Sequence, residues 1–136
     1  MQDFRYAVVC VDDDPIILQV LSFQLEKIID KKCTLLEYFT DPVVALDSID
    51  ELMGMKIDVI FVIVDYQMPQ MNGAQLVRAI KEKYPDMSCV MLSGQANSVQ
   101  VTDLMRDKML REFVVKPWEE KTLFSVLQPI IKDHKC

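Results

Sequence analysis

Residues 7–16, AVVCVDDDPI, set an apolar run directly against three adjacent carboxylates. Ala7 to Val11 is short and rich in β-branched side chains, the composition of a strand buried on both faces. Asp14-Pro15 then supplies a helix N-cap followed by a proline suited to the first helical position. The stretch therefore predicts a strand passing into a helix, with Asp12 and Asp13 left at the junction. Like charges at contact distance repel by about a kcal/mol or more even in a fairly polar environment. Either the acids are solvated caps, or something positive belongs beside them.

The same unit recurs along the chain. Short β-branched runs at Tyr6–Val11, Thr34–Tyr38, Val59–Val64, Cys89–Leu92 and Glu112–Val115 alternate with segments of helical period. That alternation predicts βαβ units around a parallel sheet. In the first helix Ile17, Leu21, Leu25 and Ile28 share one face, and Asp41-Pro42 repeats the capping device before the second. The third opens after Asn72-Gly73, buries Leu76, Val77 and Ile80, and stops before Pro85. The fourth is expected over Ser98–Leu110. The fifth begins near Trp118 and turns Leu123, Val126 and Leu127 inward, and Pro129 is expected to end or kink it.

At 136 residues the chain is expected to be a single domain, 1–136, with 51% hydrophobic and 26% charged residues excluding a disordered segment. Lys and Arg total 15 against 21 Asp and Glu, and no basic cluster forms a phosphate-tracking surface, so direct nucleic-acid binding is disfavoured. The longest apolar stretch, Val59–Val64, is too short for a bilayer, and the opening MQDFRY lacks a signal-peptide pattern. No membrane association and a cytoplasmic location are expected. Cys10, Cys33, Cys89 and Cys136 show no metal-like spacing and are expected to be free buried thiols. The single histidine, His134, has no evident partner in the sequence, which argues against a Ser-His or Cys-His catalytic pair.

Polar residues fall where strands end. Asp12 and Asp13 follow the first strand, Asp65 the third, Ser93 the fourth and Lys116 the fifth. Ligands of open parallel sheets bind outside the carboxyl ends of the strands, so these groups converge on one site. Three carboxylates, one hydroxyl and one ammonium make a hard-oxygen set suited to Mg2+. Three acids exceed what the ion needs, and the extra one can act as a nucleophile toward a phosphoryl group.

With VDDDP at 11–15, VDYQMPQMNG at 64–73, LSGQ at 92–95 and FVVKPW at 113–118, the chain resembles the receiver domain of bacterial two-component response regulators. The resemblance implies a doubly wound, flavodoxin-like three-layer α/β fold, βα repeated five times, with sheet order 2-1-3-4-5. It implies Asp65 as phosphoacceptor from a sensor histidine kinase or phosphotransfer protein. Mg2+ would be held by Asp13, Asp65 and the backbone carbonyl of Gln67, with Asp12 acting through water. Lys116 would pair with the phosphoryl group ahead of a cis bond to Pro117, and Ser93 would hydrogen-bond a phosphoryl oxygen. Asp14 remains as the helix cap.

The resemblance further implies a switch in which Ser93 moves toward the phosphoryl group and Phe113 turns inward. The output face would be that of the fourth helix, fifth strand and fifth helix, where Met105 and Met109 offer an adaptable apolar patch. That face would serve an output domain, a downstream protein or a phosphorylation-dependent dimer. Such a protein is not an enzyme in the ordinary sense, since it catalyses only its own phosphorylation and dephosphorylation. Ser93 and Phe113 stand where threonine and tyrosine are frequent. The region 46–58 is longer than usual, with Gly54 expected as a break, and Gln67 and Gln95 sit where phosphate lifetime is tuned. Two other readings stay open. One is a receiver-like interaction module that works without phosphorylation. The other is a phosphatase of the haloacid dehalogenase type, whose opening motif Asp12-x-Asp14 also satisfies.

Overall fold

The computed structural model describes residues 4–94 and 98–136. Five strands, β1 (Tyr6–Val11), β2 (Thr34–Phe39), β3 (Asp58–Asp65), β4 (Cys89–Ser93) and β5 (Glu112–Val115), alternate with five helices. These are α1 (Pro15–Leu25), α2 (Pro42–Gly54), α3 (Gly73–Lys83), α4 (Val99–Arg106) and α5 (Glu120–Lys132). All strand pairs are parallel, in the order β2-β1-β3-β4-β5. The doubly wound α/β fold expected from the sequence is thus the one observed.

Strand alternation divides the core in two. Ala7, Val9 and Val11 face a cluster with Ala45, Ile49 and Leu52 of α2, Leu76, Val77 and Ile80 of α3, and Leu104 of α4. Val8 and Cys10 face the other side, with Leu18, Leu21 and Leu25 of α1 and Leu123, Leu127 and Ile130 of α5. Each fully buried leucine contributes about 2 kcal/mol of transfer free energy. In β3 the alternation slips: the register with β1 shifts between Ala7 and Val8, so Ile60 and Phe61 point into the same cluster. One extra residue in a strand does this by design of the pleat.

Several expectations need correction. On α1 Ile17, Leu21 and Leu25, with Ile28 in the turn beyond the helix, do face one cluster, and the residue the sequence reading omits is Leu18, buried with Leu21 and Leu25. The fourth helix ends at Arg106 rather than Leu110. Lys108 adopts φ 57°, and its N–H and that of Met109 bond back to the carbonyls of Met105 and Leu104, which closes the helix in a Schellman turn. The long 46–58 region extends α2, which ends at Gly54, the residue expected to break it. The reversal falls at Lys56, φ 62°, with the same pair of bonds from Lys56 to Met53 and from Ile57 to Leu52.

Pro129 neither ends α5 nor stops its packing. It is exposed, between buried Leu127 and Ile130, and the Ser125 carbonyl it cannot serve belongs to an exposed residue, so the missing donor leaves no buried carbonyl unpaired. Val126 is half-buried and packs, as expected, against the same cluster as Leu123 and Leu127, which Ile130 joins. Of the cysteines, Cys10 and Cys89 are free and buried as expected, but Cys33 and Cys136 are joined in a disulfide. Nothing in their spacing announces it, because the two are brought together by the return of α5 to the foot of the sheet.

Candidate functional site

The site is built at the carboxyl edge, where local bonds fix each group. Asp12 extends the β1–β2 pairing, its N–H donating to the Phe39 carbonyl at 3.1 Å. Its Oδ1 accepts from the Asp14 N–H at 2.9 Å, and Asp14 in turn caps α1 by accepting from the Ile16 N–H at 2.9 Å. These bonds turn the three acids to different tasks: Asp12 is buried, Asp14 holds the helix and Asp13 stays exposed. Asp65 ends β3, and the next residue continues toward β4 through the Tyr66 N–H to the Leu92 carbonyl, 3.3 Å. Lys116 follows β5, held by its N–H to the Ser93 carbonyl at 3.0 Å.

The Lys116 Nζ donates to Asp65 Oδ1 at 2.8 Å and to Asp12 Oδ2 at 3.0 Å. Asp12, Asp65 and Ser93 are 1%, 6% and 2% exposed, so two carboxylates share one ammonium largely out of water. The cost shows in their titration. Burial, against the opposing pull of Lys116 and with repulsion from Asp12 and Asp13, raises the Asp65 carboxyl to about 6. Burial likewise raises Asp12. For Lys116 burial works downward, but the bonds to Asp65 and Asp12 outweigh it and hold the ammonium above its ordinary range. One positive charge is not enough for the site as it stands.

A cavity of about 340 Å³ opens here, lined by Asp12, Asp13, Asp14, Asp65, Gln67, Ser93, Gly94 and Lys116. Every acid, the hydroxyl and the ammonium named from strand ends are thus brought together. Gln67 is exposed at the cavity wall, and Gln95 lies outside the described residues. Phe113 is half-buried against the α2–α3–α4 cluster. Carboxylate oxygens of Asp12, Asp13 and Asp65 lie within 4.8 Å of one another. A donor set of carboxylate oxygens at that spacing fits a hard divalent cation. The Lys116–Pro117 peptide is cis, as the resemblance implies.

Three supports escape the sequence. Gly73, noted only as a helix start, packs its backbone against β3: a Cβ there would collide with the Asp65 carbonyl oxygen and sit 2.9 Å from the Tyr66 Cα. Tyr66, beside Asp65, accepts at its hydroxyl from Ser98 Oγ, 2.9 Å, at the start of α4. Ile16, Val20 and Phe23 form a second, exposed apolar face of α1, the helix that Asp14 caps. Their i, i+4, i+7 spacing was the available signal, masked by the core face of the same helix.

Comparison with known proteins decides the family. The family model of the response regulator receiver domain matches residues 8–128. The chain belongs to this family. The receiver is 28% identical over 83 residues to a chemotaxis protein CheY homolog of Campylobacter jejuni, covering 60% of this chain and 63% of that protein. The alignment thus spans under two thirds of that relative's length. Among solved structures, the signal receiver domain of an HD domain-containing protein from Pseudomonas fluorescens superposes with TM-score 0.78 at 24% identity, covering 95% and 96% of the two chains. The CheY of a CheX-CheY-BeF3-Mg2+ complex from Borrelia burgdorferi gives 0.76 at 18% identity, covering 94% and 90%.

Proposed function

We propose that this receiver accepts a phosphoryl group on Asp65 from a phosphohistidine of a sensor kinase or phosphotransfer protein, in a Mg2+-dependent reaction. The observation that carries the reading is the Asp12–Lys116–Asp65 arrangement, two buried acids on one cation inside a cavity open to solvent. A buried carboxylate beside a fixed ammonium is placed to attack phosphorus while the phosphorus–nitrogen bond of the donor breaks. Lys116 then turns from Asp65 to the transferred oxygens, and the Ser93 hydroxyl donates to another. Asp13 and Asp65, with the Gln67 carbonyl and Asp12 through water, would hold Mg2+. When bound, the ion supplies the positive charge that phosphoryl oxygens need during transfer.

The donor must reach this edge, and an apolar cavity lined by Ile17 and Val20 of α1 with Pro117 and Trp118, together with the exposed Ile16 and Phe23 of the same helix, offers it a landing surface. Output follows from the two-state movement of Ser93 and Phe113 onto the α4–β5–α5 face, where an output domain, downstream protein or second copy would bind. The exposed Val99, Met105 and Val115 lie on those elements. The receiver's activity is confined to its own phosphorylation and dephosphorylation, in the cytoplasm, where kinases of this class act.

Intact mass after incubation with acetyl phosphate tests the reading. One phosphoryl adduct is expected with Mg2+, and none with a chelator. A folded protein that gains no adduct in the presence of Mg2+ would overturn it in favour of a phosphorylation-independent module.

A further inference from the structure

At the amino edge of the sheet the chain after α5 folds back under the strands. Tyr6, the first residue of β1, meets the His134 ring edge-on with centroids 5.6 Å apart, and its hydroxyl donates to the Lys135 carbonyl at 3.1 Å. The His134 Nε2 lies 3.7 Å from an Asp58 oxygen. Beyond them Cys136 is joined to Cys33, Cα atoms 6.0 Å apart, across 103 positions of sequence. Cys33 is a rigid anchor, its carbonyl accepting from the N–H groups of Arg5 and Tyr6 at 2.9 and 3.1 Å.

The four cysteines form two classes. Cys10 and Cys89 are sealed inside strands, and burial pushes the Cys10 thiol far up and that of Cys89 to about 12. The thiolate is the nucleophile in disulfide exchange, so both are inert near neutral pH. Cys136 is exposed, and Cys33 sits just beneath it at 6% exposure. An accessible thiol over a shielded one is the arrangement of an attacking and a resolving cysteine.

We propose that Cys33 and Cys136 form a reversible redox clasp, closed by a low-molecular-weight disulfide of the glutathione type and opened by a dithiol, that pins residues 133–136 to the foot of β1 and β2. In closing, the Cys136 thiolate attacks the soluble disulfide, breaks its sulfur–sulfur bond and expels one thiolate. Cys33 then attacks the mixed disulfide, forms the internal bond and expels the second thiolate. Two protons leave the protein for solvent, two protein sulfurs are oxidised and the two sulfurs of the soluble disulfide are reduced. In a reducing compartment the clasp is open, and oxidant closes it. Closure orders the segment next to His134 and limits motion at the end of α5.

The whole chain, treated with oxidised glutathione and alkylated in denaturant, is expected to show two free thiols, Cys10 and Cys89, and after dithiothreitol all four. Peptide mapping should place the link between Cys33 and Cys136. Amide exchange over residues 132–136 and at Tyr6 should slow at least about tenfold on closure. Cys136→Ser should show the fast exchange under both conditions. Four free thiols after oxidation, a link through Cys10 or Cys89, or exchange equal in both forms would overturn the clasp. So would protection that a chelator lifts and dithiothreitol does not, since Asp30, Cys33 and Cys136 could together hold a soft cation. None of these readouts passes through Asp65.

Discussion

At the carboxyl edge of the sheet two buried carboxylates compete for Lys116, whereas at the amino edge Tyr6, Asp58, His134 and Lys135 meet in mutually favourable contacts. The first edge holds charge in a state that burial makes unfavourable, with Asp65 raised to about 6. The second holds a ring pair, a neutral hydrogen bond and a covalent link. Crowded like charges held out of water mark the carboxyl edge as the candidate functional site. Changes at the carboxyl edge should therefore cost phosphoryl transfer whether or not they cost stability, and changes at the amino edge stability alone.

The largest effect should come from Asp65→Asn, which is expected to remove the phosphoryl adduct entirely while raising the thermal midpoint of the metal-free protein, read by mass spectrometry and circular dichroism. Lys116→Met comes next. It leaves Asp12 and Asp65 buried without their cation and should lower stability by about 3 kcal/mol, together with at least a tenfold loss in rate of adduct formation, roughly the scale of one lost charge contact. Gly73→Ala forces a Cβ against the Asp65 carbonyl oxygen. Urea denaturation should show about 2 kcal/mol of destabilisation from that overpacking, with slowed phosphorylation because the strand end carrying Asp65 must shift.

A smaller signal lies in pH. The folded Asp65 carboxyl is raised above its ordinary 3.8 to about 6, so the folded state binds a proton more tightly than the unfolded one. Its contribution to stability is full below the unfolded value and is lost as pH rises through about 6. In chelator, wild type should have a higher urea midpoint at about pH 5 than at about pH 7.5, and the Asp65→Asn protein should show a smaller difference. The smallest effect is that of Asp14→Ala, which removes the α1 cap for about 1 kcal/mol and should leave the adduct intact. Loss of the adduct there would mean that the acidic triplet does not divide into site acids and a cap.

Much of the fold was legible because buried parallel strands are written as continuous apolar runs. β1 and β5 begin and end where the sequence places them, and β2, β3 and β4 differ only at their ends. The site was legible for the same reason: once strands are known, their carboxyl ends are known, and Asp12, Asp65, Ser93 and Lys116 stand there. What stayed hidden depends on contacts distant in sequence or on rules that other residues can satisfy. Lys56 and Lys108 take the left-handed position that glycine or asparagine would have advertised. The contacts of His134 with Tyr6 and Asp58 and the link of Cys136 to Cys33 span more than 70 positions, to the foot of β1, β2 and β3. Pro129 is tolerated because its side of α5 faces water.

On the proposed function the nucleophile is Asp65 and not an acid of the opening triplet. Borohydride reduces an aspartyl phosphate to homoserine, so trapping the protein after acetyl phosphate and Mg2+ and sequencing its peptides by mass spectrometry locates the bond. Homoserine at position 65 alone is the predicted result. Homoserine at position 12 would rule out Asp65 and place the nucleophile on the first strand, as in a phosphatase of the haloacid dehalogenase type.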